Sequence, residues 1–356
     1  MKQLRRFLAI TGLIFTFYAS FGQIEIKDIM RAGAADGQKY FEQYMSPGFI
    51  SFNNGLSSGW YNTAKPHKLF GVDLTVSMNF ASIPEDMRTF TFNNADYSVL
   101  QLENGTSAQL PTIGGGISNE GMIVAAGSSV EGTTYRTDQL FNAASGIGKT
   151  PFNAIPTPTL TMGIGLPKNT DLKIRYIPSI NTGDFSFDFF GIGIMHDIKQ
   201  WIPGLKLAPF DLSGFVGTTT MTSEIGFSTG DINQDDFEAR NGAAVLKTTS
   251  TTIQGVISKK FGVFTPYAGV GYNIASSSFD LKGIYQYKDD NGTPNDPNDD
   301  TISDEIKDPI SLKFSEGNTP RVTVGARVKL LILTFHADYT IQKYSTFSAG
   351  IGLSVR

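Results

Sequence analysis

Asp296, Asn298, Asp300 and Asp304 stand at relative positions 1, 3, 5 and 9, where a calcium loop places its oxygen ligands. The turn position holds Thr301 instead of glycine, and the last ligand position holds Lys307 instead of glutamate. Asp231, Asn233 and Asp235 repeat the opening spacing elsewhere. These acids either bind Ca2+ in an outer loop or are simply solvated, and no other cofactor is expected. His336 and Asp338 are two apart, so on a strand they share a face and could act as a base and its orienting acid. A hydrogen-bond network is the competing reading, because no nucleophile can be named beside them. Gly55-Leu56-Ser57-Ser58-Gly59 matches the spacing of a nucleophile elbow, but no buried strand precedes it and no helix follows. Glycine pairs at Gly163/Gly165, Gly191/Gly193, Gly269/Gly271 and Gly350/Gly352 lack the third glycine and helix start of a dinucleotide loop. At spacing two they make room on one strand face or permit curvature. The chain has no cysteine, which excludes disulfides and thiolate metal sites. An enzyme is not expected.

The elements that would position these residues are strands. From Phe70 to Phe80, Phe70, Val72, Leu74, Val76, Met78 and Phe80 alternate with Gly71, Asp73, Thr75, Ser77 and Asn79. A helix would scatter both sets around its cylinder. The same alternation recurs near residues 159–166, 172–177, 190–195, 264–274, 321–329, 333–341 and 346–355. A membrane-spanning strand needs about 9–11 such residues, with one face toward lipid and the other toward a wet lumen. Asp73, Lys173, Arg175, Arg321, Arg327, Lys329, His336 and Asp338 all fall on the polar faces. There they could line a channel, or pair with Asp28, Arg31 or Asp36 and hold an N-terminal plug. Trp60, Tyr61, Tyr176, Trp201, Tyr267 and Tyr287 suit interfacial girdles.

The expected fold is therefore all-β, a transmembrane antiparallel barrel of about 14 strands, with 12 as the alternative, because such barrels are even-numbered. Lys2, Arg5 and Arg6, the apolar run 7–18 and the small Ser20 and Gly22 mark residues 1–22 as a signal peptide cleaved before Gln23. Residues 23–66 carry apolar side chains at helical spacing, with Pro47 and Gly48 expected to stop the helix, and form the plug segment. Residues 67–356 form the barrel. A weak pattern over 81–156 reads as two irregular strands and a long loop. Long polar stretches at 224–242 and 289–308 suggest the outer rim, and the short turn at Lys168-Asn169 the inner one.

The block from Gly59-Trp60-Tyr61-Asn62-Thr63-Ala64-Lys65-Pro66-His67-Lys68 through Gly71-Val72-Asp73-Leu74-Thr75-Val76 resembles an uncharacterised family of outer-membrane proteins, assigned only a domain of unknown function. More distantly, the layout is similar to long-chain fatty-acid transporters of the FadL/TodX type. That resemblance implies an N-terminal hatch in a 14-stranded barrel that passes hydrophobic molecules. The Asn-Pro-Ala signature of their hatch is absent.

The expected function is an outer-membrane channel or transporter for small hydrophobic molecules, fatty-acid-like or aromatic. The alternative is a structural or surface-binding barrel acting through acidic outer loops. Expected partners are the outer-membrane bilayer, the barrel-assembly machinery and a small hydrophobic ligand, with the chain a monomer. The formal net charge of -4 gives no sign of nucleic-acid binding.

Overall fold

The computed structural model describes residues 33–124, 129–130, 133–134, 139–146, 153–228, 237–289, 298 and 300–355. The expected signal peptide, Asp28, Arg31, Asp231, Asn233, Asp235 and Asp296 lie outside them. Among the described residues one long helix, α1 (Gly33–Leu56), precedes ten long strands. These are β1 (Val72–Ser82), β2 (Ala154–Leu166), β3 (Thr170–Thr182), β4 (Phe185–Asp197), β5 (Asp211–Phe227), β6 (Phe237–Ser258), β7 (Phe264–Asp289), β8 (Ile310–Leu330), β9 (Leu333–Ile341) and β10 (Thr346–Val355). Each pairs antiparallel with the next, and β1 also pairs with β10 from Val72↔Val355 to Ala81↔Thr346. Among the described residues the pairing is thus a closed ring of ten strands, and the expected 14 or 12 is corrected to ten. The excess came from residues 81–156. There, Thr89–Asn93 pairs with Ser107–Pro111, and Leu100–Leu102, Gly121–Val124 and Gln139–Asn142 form a separate small sheet. These pieces are too short to join the wall.

Burial in the ring is inverted relative to a water-soluble protein. On β1, Val72, Leu74 and Val76 are exposed, while Thr75, Ser77 and Asn79 are buried. On β10, Ile351, Leu353 and Val355 point out, and Ser348 and Ser354 point in. The same holds for Ile192 and Ile194, Val270 and Tyr272, and Val322 and Val324 on the outside. Thr219, Thr252, Gln254, Thr323 and Thr340 are inside. The period of two sends every second side chain to one face, so a single register choice fixes all of them.

The ring has two unlike ends. One carries the connections 167–169, 198–210, 259–263 and 331–332; the other carries the two longest, 83–153 and 290–309, together with 183–184, 228–236 and 342–345. Beyond the long-loop end the inward face of β7 changes character, from Thr265, Asn273 and Ser277 to Leu281, Tyr285 and Tyr287. There β6, β7 and β8 overrun the ring and meet the small sheets in a cap. Its core is apolar: Tyr40, Tyr44, Phe92, Leu110, Tyr285 and Leu312 are all buried. One chain therefore contains a normal apolar core stacked on a ring with a polar interior.

α1 runs through both. Its first half lies in the cap, where the Asp36 carboxylate accepts backbone N–H groups from Ser98, Val99 and Leu100 at 2.8–3.0 Å. Its second half lies inside the ring, touching β1, β2, β6, β7 and β8. Pro47 was expected to end it, but the helix passes through that residue. A proline deletes one helical bond and pushes at the preceding turn. Ile113 N–H binds the Tyr44 carbonyl from outside the helix (3.0 Å), and Gly48 leaves room for the Ile113 side chain. Tertiary contacts thus support the backbone around the proline. Among the described residues no helix is long and apolar enough to cross a membrane.

Candidate functional site: the plugged lumen

The interior of the ring is filled by the end of α1 and the segment that follows it. The helix stops at Leu56 because Ser57 and Ser58 turn their hydroxyls back to the Asn54 carbonyl (2.9 and 3.0 Å) and Gly59 takes φ +70°. The elbow-like sequence Gly55–Gly59 is therefore a helix terminus, which explains why it lacked the strand and helix that a nucleophile needs. It also leaves the carbonyls at the negative end of the helix facing the wall.

Two arginines on different strands receive them. Arg175 on β3 donates to the carbonyls of Leu56 (2.6 Å) and Ser58 (2.5 Å) and, through Nε, to Thr161 Oγ1 (3.1 Å). Its guanidinium lies 3.8 Å from the Trp60 ring centroid, a cation–π contact. Arg321 on β8 donates to the Ser57 carbonyl (3.2 Å), Ser57 Oγ (2.8 Å) and Ser58 Oγ (3.0 Å). Farther along the plug, Arg327 donates to Asn62 Oδ1 (3.1 Å). Higher in the ring, Asn53 donates to Ser277 Oγ (2.8 Å) and accepts from Thr248, and Ser51 donates to the Ala81 carbonyl (2.5 Å).

The aromatic residues after the helix sit in a bay of glycines. Gly193 and Gly217 face each other across β4 and β5, and a Cβ on either would come within 3.0–3.2 Å of the Trp60 ring. A Cβ on Gly269 would collide with the Tyr61 hydroxyl, which instead donates to Gln254 (2.6 Å). The spaced glycines thus create room in the wall for the plug. Trp60, Tyr61 and Tyr267 pack together here with Phe215, and Tyr287 lies in the cap core. The expectation that these four form girdles is corrected, because the plug and the cap enclose their rings. Tyr176 and Trp201 are exposed on the outer side.

A compact ionic cluster closes the short-turn end. Asp171 accepts from the His67 backbone N–H (2.7 Å), and its other oxygen meets His67 Nδ1 at 2.9 Å. His67 Nε2 faces Asp73 Oδ1 (3.6 Å) and Ser354 Oγ (3.4 Å), and Lys173 Nζ lies 3.9 Å from Asp73 and 4.0 Å from Asp171. With Arg327 and Asn62 these groups line a cavity of about 10 Å³, room for roughly one water. The order Ser354, His67, Asp171 superficially resembles an acyl-transfer relay. However, Ser354 Oγ also accepts from Lys329 (3.1 Å), and the cavity admits no substrate.

All eight residues placed on the polar faces point inward. The structure joins Asp73 to Lys173 and sets Arg175 and Arg321 at one level of the plug. It does not join His336 to Asp338: Asp338 accepts the Tyr267 hydroxyl (2.8 Å), and His336 Nε2 meets Ser77 Oγ (3.4 Å). Asp36 stays in the cap and reaches none of the lumen cations, because α1 enters from the long-loop end. Sequence reasoning missed His67 and Asp171, although Asp171 stands two before Lys173 and so shares its face. In the acidic loop Asp300 pairs with Lys288 (2.5 Å) and Arg240 with Glu305 (2.5 Å). Among the described residues no three acids or histidines gather as a metal site.

A comparison with curated proteins finds no match. Among solved structures, the chain is loosely similar to the translocator domain of the autotransporter NalP from Neisseria meningitidis. Identity is 13% at a TM-score of 0.30, over 82% of this chain and 90% of that one. The P. putida toluene transporter TodX follows at 9% identity and a TM-score of 0.22, over 88% and 93%. The monoaromatic hydrocarbon channel CymD stands at 9% and 0.15, over 88% and 92%. Likeness at these scores carries no weight for function. A family model matches residues 1–355, and the chain belongs to that family of unknown function, DUF6588.

Proposed function

We propose that the ring is a transmembrane barrel in an outer membrane and that its lumen is a plugged route for small hydrophobic molecules. The observation that supports it is the inverted burial: apolar side chains cover the outside while threonines, serines and charges fill the inside. In water that arrangement forfeits the hydrophobic effect, whereas in a bilayer it satisfies both faces. The plug enters because the end of α1 and its tail occupy the lumen and, at its closed end, leave room for about one water, so passage requires them to move. The hydrophobic cargo is the expectation raised by the sequence resemblance.

The absence of cysteine makes the test direct. In the double variant Asn53→Cys/Ser277→Cys, an oxidised disulfide ties α1 to β7 where the two native side chains touch. Oxidation should abolish uptake of fatty acids and aromatics into proteoliposomes, and reduction should restore it. Equal uptake in both states would sink the moving plug.

A second reading is favoured by the cap, which has its own apolar core and holds its acidic segment with ion pairs. A rigid outer body of this kind suits surface binding. Under that reading, deleting 290–309 abolishes function while uptake through the ring persists.

A further inference from the structure

Two guanidinium groups converge on one serine inside the ring, and among the described residues neither forms an ion pair. Arg175 takes the Ser58 carbonyl and Arg321 its hydroxyl, and the two residues are 0% and 2% exposed. The one acid near enough to attract either is Asp338, which acts on Arg321 through space while its carboxylate is held by the Tyr267 hydroxyl. Like charges repel strongly where water is excluded, and a buried charge calls for a counter-charge. The end of α1 supplies only about half a charge. Two further donors, Arg321 Nε and Trp60 Nε1, are buried and find no hydrogen-bond partner among the described residues. Such orphaned groups call for an explanation. This level of the lumen therefore has surplus donors and surplus positive charge, with the carbonyls of Leu56, Ser57 and Ser58 standing in for an anion.

We propose that Arg175 and Arg321 form an anion site, occupied at rest by the end of α1, and that the molecule admitted to the lumen carries an anionic head group, a carboxylate or phosphate. The site rests on the reading of the lumen as a route. An arriving anion takes over the donors that hold the helix end, so recognition and release of the plug are one exchange.

The chain has two tryptophans, so Trp201→Phe leaves Trp60, stacked on Arg175, as the only reporter. The full chain in an uncharged detergent is titrated with sodium decanoate, inorganic phosphate and decanol. Decanoate should produce a saturable change in Trp60 emission, and decanol none. Phosphate saturating alongside decanoate supports a site for free anions; phosphate remaining silent supports one for anionic amphiphiles. Arg321→Gln or Arg175→Gln should weaken the decanoate response by at least about tenfold, the loss of a charge-assisted hydrogen bond. Three results would overturn the site: decanol matching decanoate, silence with every ligand, or unchanged affinity in both variants. The ligand panel needs only the reporter protein, so it decides the matter even if the arginine variants fail to fold. Decanol matching decanoate removes the anion site while leaving a hydrophobic route intact, and the disulfide experiment tests that route separately.

Discussion

A charge placed on the outside of β1 tests the membrane assignment by depth. β1 has 11 residues; at about 3.3 Å per residue and a tilt of about 40°, each advances roughly 2.5 Å along the membrane normal. The strand then covers about 28 Å, enough for the apolar band of about 25 Å. Val76 lies near its middle and is 49% exposed, Leu74 is nearer the rim, and Val72 is at it. Arginine on a lipid face costs about 2–4 kcal/mol at mid-depth and about 0–1 kcal/mol near the interface. Unfolding free energies of Val72→Arg, Leu74→Arg and Val76→Arg in phospholipid vesicles, from urea titration followed by tryptophan emission, should therefore fall in that order. Val76→Arg should lose at least about 2 kcal/mol. A flat series with every loss below about 0.5 kcal/mol is what a water-exposed face gives, and it would refute the lipid contact.

Three further outcomes are expected. Gly193→Leu, by overfilling the bay that holds Trp60, should destabilise the protein by about 1–3 kcal/mol in the same assay, and Gly255→Leu, with open space beside it, should not. An impermeant maleimide on intact cells should label Ala35→Cys, at the cap, and should reach Lys168→Cys, at the opposite rim, only after the outer membrane is breached. Burial pushes the Tyr40 phenol in the cap up to about 12, from an ordinary value near 10. A raised folded pKa gives stability that is complete below pH 10 and lost as pH rises toward 12. Cap melting should therefore be insensitive to pH up to about 10 and fall above it, and Tyr40→Phe should flatten that fall.

The wall was legible because period-two alternation is a property of neighbouring residues. Val72 through Phe80 declares both faces of β1 without any partner strand. The glycine pairs were read as room or curvature; Gly193 and Gly269 make room, but nothing near Gly193 in sequence points to Trp60 as what fills it. Asp36, one of three residues offered as partners for the lumen cations, binds the backbone of 98–100 instead, because sequence does not reveal which way a helix is threaded. The strand count failed where the two irregular strands expected near 88–93 and 121–126 pair locally, as Thr89–Asn93 with Ser107–Pro111 and Gly121–Val124 with Leu100–Leu102. The ionic cluster joins His67 to Asp171 across 104 positions, a separation at which spacing rules are silent.

The direction of α1 constrains the order of assembly. The helix starts at the cap, its tail leaves at the opposite rim, and the wall is sealed only when β10, the last strand of the ring, meets β1. Passing α1 upward through a finished wall would drag the helix and its aromatic tail past the closely packed polar side chains of the interior. Closing the last seam around a helix already in place avoids that passage, and the polar groups of the interior then find their partners as the wall forms. The helix thus serves as a mandrel as well as a stopper, so cutting out residues 33–60 should impair assembly before it yields an open pore.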